Sequence, residues 1–126
     1  MTAHSAPYSI SDLSRIFEVT PRTIRFYEDQ GLISPQRVDQ QRVYSERDFV
    51  RLKLILRGKR IGFSLAELKT TLDLYDNAPD GTSQADYVLG IIKNHRRELE
   101  QKRKDIEATL EEMEEIEARI THSLSA

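Results

Sequence analysis

From Ile10 to Tyr75 apolar residues recur at helical intervals. Ile10, Leu13, Ile16 and Phe17 make one short stripe, and Ile24, Tyr27 and Leu32 follow in a second element. Phe49, Leu52, Ile55 and Leu56 stripe a third, and Leu65, Leu68, Leu72 and Tyr75 a fourth. Steps of three and four residues place each set on one face of a helix. No such face is stable alone in water, so the four elements are expected to share one small core.

The polar residues between the stripes mark where these helices begin. Ser9, Ser45, Ser64 and Ser83 are each followed three residues later by an acid: Asp12, Asp48, Glu67 and Asp86. A serine hydroxyl accepts from the third helical amide while the acid folds back onto the cap, and Glu67 is the strongest such partner by residue type. Thr20-Pro21 is a different start, an N-cap followed by a first-turn proline whose missing amide costs nothing. That helix is expected to stop near Gly31, a residue suited to a left-handed cap.

Two intervals break the helical rhythm. Residues 33–44 open with Ser34-Pro35 and close with Arg42-Val43-Tyr44, with Asp39-Gln40-Gln41 between, which predicts a short two-stranded hairpin with Val43 inward and Arg42 and Tyr44 outward. Arg60-Ile61-Gly62-Phe63 is a tight link between helices, and residues 77–82 carry the Pro and Gly of a linker. From Ser83 on there is no proline and only Gly90. Ala85, Ile92, Leu99, Ile106, Met113 and Ile120 then recur every seven residues, with a companion row of Leu89, Arg96, Arg103, Leu110, Glu117 and Leu124. A strictly apolar row beside one interrupted by charge is the seam of a modest two-helix coiled coil. At about 1.5 Å per residue such a helix runs about 55–60 Å, too long for a small core to cover. A second chain is expected along Ile92, Leu99, Ile106, Leu110, Met113 and Ile120. The expected organisation is a globular lobe over residues 8–76 (helix-turn-helix about 10–30, wing 33–44), a linker at 77–82 and a dimerisation helix over 83–122.

Composition narrows the chemistry. The chain has no cysteine, so disulfides, thiolate metal sites and cysteine nucleophiles are excluded. Its polar opening and the lack of a long apolar run point to no secretory signal or membrane span, and to the cytoplasm. Net charge is −2, but it is unevenly spread. Residues 20–60 hold ten Lys or Arg against five Asp or Glu, and residues 77–126 hold seven against eleven. Binding to phosphate depends on this local field, and the basic stretch permits nucleic acid. His4, His95 and His122 have no nucleophile, metal-ligand spacing or glycine-rich loop beside them, so no catalytic residue is assigned.

Two short helices joined by Glu18-Val19-Thr20, the second beginning Pro21-Arg22-Thr23-Ile24-Arg25, form a helix-turn-helix, whose second helix presents its N-terminal residues to the major groove. Arg22 and Arg25 lie three apart on one face and suit guanine edges or phosphates. Tyr27 suits either the core or DNA. Arg42 and Tyr44 suit a wing that grips backbone, and Lys59 and Arg60, at the end of a run with Arg51, Lys53 and Arg57 that holds no acid, suit a second backbone contact. Each taken alone is also explained as a solvated charge or a helix-end complement. The ordered set of helix-turn-helix, hairpin and basic helix end is far more specific.

Val19-Thr20, Thr23 to Glu28, Gly31-Leu32-Ile33, Arg42-Val43-Tyr44 and Gly58 to Leu65 together resemble the MerR family of bacterial transcription regulators over nearly the whole chain. The resemblance implies a mainly α fold: a winged helix-turn-helix with a small β-hairpin wing, then a long helix forming an antiparallel coiled coil in a homodimer. It implies binding of a near-palindromic promoter operator, distortion of that DNA, an indirect effect on RNA polymerase, and room for a small-molecule effector. By position it makes Arg22, Arg25 and Tyr27 recognition-helix contacts, Arg42 and Tyr44 the first wing, and Lys59 and Arg60 the second. Glu18 stands where the family commonly has glycine, and Phe26 where it commonly has tyrosine. Without cysteine, thiol-based metal or redox sensing is not expected. The run from Arg57 to Leu65 looks like members controlling leucine and isovalerate or related acyl catabolism. A competing reading is a coiled-coil adaptor whose helix-turn-helix lobe binds protein.

Overall fold

A computed structural model describes residues 7–77 and 82–125. In order, its elements are α1 (Ile10–Phe17), α2 (Pro21–Asp29), β1 (Gln36–Val38), β2 (Gln41–Val43), α3 (Glu46–Arg60), α4 (Leu65–Asn77) and α5 (Thr82–Ser125). The chain divides into two compact units, Met1–Ala85 and Asp86–Ala126. Because α4 ends at Asn77 and α5 begins at Thr82, both ends of the expected linker are helical, and its middle lies outside the described residues. No helix among the described residues is long and apolar enough to cross a membrane.

The serine caps form where the spacing places them, apart from the last. Ser9 Oγ accepts from the Asp12 amide while Asp12 accepts from the Ser9 amide. Ser45 with Asp48 and Ser64 with Glu67 repeat that exchange. The cap amide of Ser9 holds the Asp12 carboxyl below its ordinary range. The Ser83–Asp86 arrangement falls inside the helix, because α5 begins one residue earlier at Thr82. Thr20 caps α2, accepting from the Thr23 amide at 3.2 Å, with Pro21 in the first turn.

The first three helices end in the same way. After α2 the Leu32 amide donates to Tyr27 O and that of Gly31 to Glu28 O; after α3 the Phe63 amide donates to Gly58 O and that of Gly62 to Lys59 O. This is the Schellman closure, which needs a positive φ at its turning residue, supplied here by Gly31 (76°) and Gly62 (104°). At the end of α1 the Val19 amide reaches back to Ser14 O in the same way, but the turning residue is Glu18 at φ 55°. The Ser14 hydroxyl holds this turn by donating to Val19 O.

The first unit's core is built from Tyr8, Leu13, Ile24, Tyr27, Leu32, Ile33, Tyr44, Leu52, Ile55, Phe63, Leu68 and Leu72, all buried. The stripes thus turn inward as read, with one exception. Tyr75 is 45% exposed, although its neighbour Asp76 is held by Arg47 and Arg51 of α3. Gly58 lies in the interior of α3, where an added Cβ would stand 2.4 Å from Leu68 Cδ2 of α4. A contact that the spacing did not reveal joins Tyr8, ahead of α1, to Tyr44: each amide donates to the other's carbonyl at 2.8 Å. The Tyr8 ring stacks on Phe49 at 5.0 Å, and its hydroxyl donates to Glu46.

The hairpin pairs Gln36 with Val43, Arg37 with Arg42 and Val38 with Gln41, leaving Asp39-Gln40 as a two-residue turn with φ 51° and 67°. Both turn residues being left-handed marks the type I′ turn, where glycine favours the second position. Glu18 and Gln40 therefore each hold a conformation that strains an L side chain. Glu18→Gly and Gln40→Gly are each expected to stabilise the fold by about 0.5–1 kcal/mol in urea unfolding, and a loss of stability would contradict the strain assigned to these turns.

Candidate nucleic-acid interface

Helix α2 has an inner and an outer face. Ile24 and Tyr27 are buried, and Arg22, Arg25 and Phe26 point out. The i to i+4 step from Arg22 to Phe26 puts guanidinium and ring on neighbouring turns. Phe26 is 45% exposed, with its ring edge-on to that of Tyr27 at 5.5 Å. The expectation that Tyr27 contacts DNA is therefore corrected. At 7% exposure its ring supports the outer face from beneath, and burial pushes its hydroxyl pKa up. Phe26 takes the exposed position, suited to apolar contact with a thymine methyl. Its place one turn after Arg22 could have shown this from sequence.

The wing reverses the facing expected of it. Alternation correctly sets Arg42 and Tyr44 on one side of the strand, but that side faces the lobe. The Tyr44 side chain is fully buried. Its hydroxyl has no hydrogen-bond partner, and burial, reinforced by Glu28, pushes its pKa up to about 12. Arg42 Nε donates to Glu28 Oε2 at 2.7 Å, with the two side chains only 24% and 21% exposed. That bond raises the Arg42 pKa further. Arg42 thus ties the wing to the recognition helix with one of its five guanidinium donors, and Tyr44 belongs to the core. Val43, expected to be buried, is only half-buried. Arg37, directly opposite Arg42 in the hairpin, is the exposed wing cation and lends a bond to Gln40 O at 3.5 Å. The sequence signal for Arg37 was its place one strand position from the turn.

Helix α3 fixes the connection between α2 and the wing. Asp48, 3% exposed, accepts from the Ser34 amide at 3.2 Å and the Ser45 amide at 3.0 Å. Arg51, 9% exposed, donates to Leu32 O at 2.7 Å and to Asp76 at 2.9 Å, and Arg47 joins the same carboxylate. Arg51 is therefore structural. Lys53, Arg57, Lys59 and Arg60 remain exposed, the last three in the final turn of α3. Since α3 begins beside the wing and runs fifteen residues, Lys59 and Arg60 lie about 20 Å from it along the helix axis. The geometry joins Arg22, Arg25 and the wing in one group and leaves Lys59 and Arg60 as a second, separate cationic point. In the second unit the seam residues Leu99, Ile106, Leu110, Met113 and Ile120 are all more than half exposed, and Ile92 is half-buried.

Residues 8–74 match the sequence profile of MerR HTH family regulatory proteins, and residues 49–120 match the profile of the MerR DNA-binding region. The transcriptional regulator ZntR of Escherichia coli K12 is 34% identical over 95 residues, which make up 74% of this chain and 66% of ZntR. The chain thus spans about two thirds of that relative's length. A solved MerR-family regulator from Bacillus cereus superposes with a TM-score of 0.68 at 25% identity, covering 86% of this chain and 78% of its own. HiNmlR, a MerR family regulator lacking the sensor domain and solved bound to promoter DNA, shares the fold with a TM-score of 0.59 at 20% identity, covering 83% and 79%. The likeness of the Arg57-to-Leu65 run to regulators of leucine and isovalerate catabolism gains no support from these relatives.

Tyr44 carries a testable consequence. An unfolded chain releases this proton near 10 and the folded one near about 12, so its share of stability is intact below pH 10 and lost as pH rises towards 12. Tyr44→Phe removes an unpaired buried hydroxyl and is expected to raise stability at pH 7 by about 1 kcal/mol. It should also flatten the alkaline decline in urea melts, and a destabilised Phe variant would show that the hydroxyl is bonded after all. The caps, the exposed face of α2, the clamped wing and the two matched profiles together establish that the chain belongs to the MerR family of helix-turn-helix regulatory proteins.

Proposed function

We propose that this chain is a non-catalytic, cytoplasmic transcription regulator that binds a near-palindromic promoter operator as a homodimer and distorts it, acting on RNA polymerase through the DNA. The observation that carries this reading is the outer face of α2. Arg22, Arg25 and Phe26 stand free there, beside a wing held to the same helix by Arg42 and Glu28. Two guanidinium groups and an apolar ring at a helix start are the groups that read base edges in a major groove. Arg37 and the Arg57, Lys59 and Arg60 cluster are suited to phosphates on either side, contacts that fix register and carry no sequence information. The seam from Ile92 to Ile120 supplies the second subunit. With no cysteine in the chain, any effector is held without thiolates.

The adaptor reading separates on ionic strength. Binding through phosphates weakens steeply as salt rises, by release of counterions, whereas a protein partner docked on the lobe lacks that slope. Arg25→Ala is expected to cost about 1–3 kcal/mol in operator affinity and to relax specificity at one position. Fluorescence anisotropy with operator and random duplexes reads both, and an unchanged preference for operator would remove Arg25 from base recognition. Leu99→Asp with Ile106→Asp is expected to yield monomers in sedimentation, and a surviving dimer would discredit the seam.

A further inference from the structure

The wing carries a like-charge pair. Arg37 and Arg42 stand directly opposite each other in the hairpin, and residues so paired share one face of the ribbon with their Cβ atoms about 5 Å apart. Two guanidinium groups at that spacing repel, in a two-stranded ribbon that has little stability of its own to lose. The repulsion is relieved from outside the hairpin. Glu28 of α2 accepts from Arg42 Nε at 2.7 Å and holds that side chain half-buried. Arg37 stays exposed, its Nη1 donating to the carbonyl of Gln40 at 3.5 Å.

We propose that Glu28 and Arg42 are positioning residues for Arg37. By holding Arg42 on the recognition helix, Glu28 leaves Arg37 as the wing cation that meets the DNA backbone, and neither Glu28 nor Arg42 touches DNA. This rests on the DNA-binding reading and deepens it: Arg42, a wing contact by position in the resemblance, acts through another residue.

The surroundings of the pair favour an indirect role. Glu28 follows Arg25 by three residues and so lies beside it on α2, and the buried Tyr44 hydroxyl feels the charges of Glu28, Arg42 and Arg25 together. Unpaired, Glu28 would set a negative charge next to a reading residue and against the phosphates that Arg25 approaches. With Arg42 bonded to it, the two charges cancel within a distance far shorter than the screening length of about 8 Å. What the pair then contributes is geometry. The root of the wing is fixed by the bridge between Tyr8 and Tyr44, and two residues nearer the tip Arg42 ties the strand to α2. Without Glu28 the middle of the hairpin is free of the helix, and Arg42 is returned to the side of Arg37.

The sign of one substitution separates the readings. Neutralising an acid at a DNA-facing surface ordinarily tightens binding, because phosphates are repelled less. Glu28→Ala, which places a strong helix former in α2, is instead expected to weaken binding. A duplex from the chain's own promoter region and a random duplex of the same length should both be affected, with their ratio kept. The slope of log affinity against log salt should fall by about 1, the share of one phosphate contact. Arg37→Ala should do the same, and the two together no more than either alone; fluorescence anisotropy over a salt series reads all three. Tighter or unchanged binding by Glu28→Ala, a loss confined to the promoter duplex, or losses that add would overturn the positioning role. So would a further fall of about 1 in slope when Arg42→Ala is placed on Arg37→Ala, since Arg42 would then hold a phosphate itself. A second measurement needs no DNA. The chain has no cysteine, so nitroxides at Val38→Cys and Gln30→Cys, both exposed sites, report the distance from wing to α2 in the full chain. Its distribution is expected to be narrow and to broaden with Glu28→Ala, and one that stays narrow overturns the clamp. Failure of the unmodified chain to bind any duplex in a salt-dependent way overturns the DNA-binding reading instead, whatever the nitroxides show.

Discussion

The geometry of the lobe depends on two ionised residues one turn apart on the buried side of α3. Asp48 accepts from the Ser34 amide and Arg51 donates to the Leu32 carbonyl, so the middle of the six-residue connection between α2 and the wing is gripped at both Leu32 and Ser34. Hydrogen bonds to charged groups contribute about 1.5–3 kcal/mol each. Removing one member of a buried ionic set costs more than the bond itself, because the remaining charge is stranded. Here both sets are satisfied: Asp48 also closes the cap of its own helix, and Arg51 is neutralised by Asp76. The Arg42–Glu28 pair adds a third tie above them. Recognition helix and wing are therefore one piece, and whatever Arg22 meets fixes where Arg37 arrives.

Helix existence and helix ends were legible because they are local. A serine with an acid three residues on, a proline behind a threonine, or a glycine after a stripe acts through bonds spanning a few residues, and Ser9, Thr20, Ser45, Gly31 and Gly62 behave accordingly. Arg22 and Arg25 were legible as outward residues because Ile24 and Tyr27 fix the inward face of the same helix. The hairpin was legible in its extent and in its period of two. Period alone does not say which side meets the core, and for Arg42 and Tyr44 that is decided by Tyr8, thirty-six residues earlier than Tyr44 and outside any periodic stripe. The inward turn of Arg51 escaped for a similar reason. Nothing near it in sequence announces Leu32 or Asp76, and a run of cations reads as solvated until a carbonyl and a carboxylate are brought to it by tertiary packing.

Charge has different uses in the two units. In the lobe the buried ions are few, individually bonded and directional, and they set distances. On α5 the charges are exposed and individually weak, and they are sorted into a basic block and an acidic one. That sorting leaves the net charge of the chain at −2 while presenting one cationic surface at the helix-turn-helix and two opposed fields along a single helix.

Gly58 differs in kind from Gly31 and Gly62. Those two are needed for the turn their backbone makes, whereas Gly58 sits in ordinary helix and is needed for the space it leaves to Leu68. The spacing between α3 and α4 thus sets the Gly58 main chain against Leu68, whose side chain would have to shift to admit even a methyl group. Widening that spacing would draw Asp76 off Arg51, release the Leu32 carbonyl and loosen the wing. A residue without a side chain of its own is in this way a gauge for the packing of the lobe, since any larger residue at position 58 would have to displace Leu68.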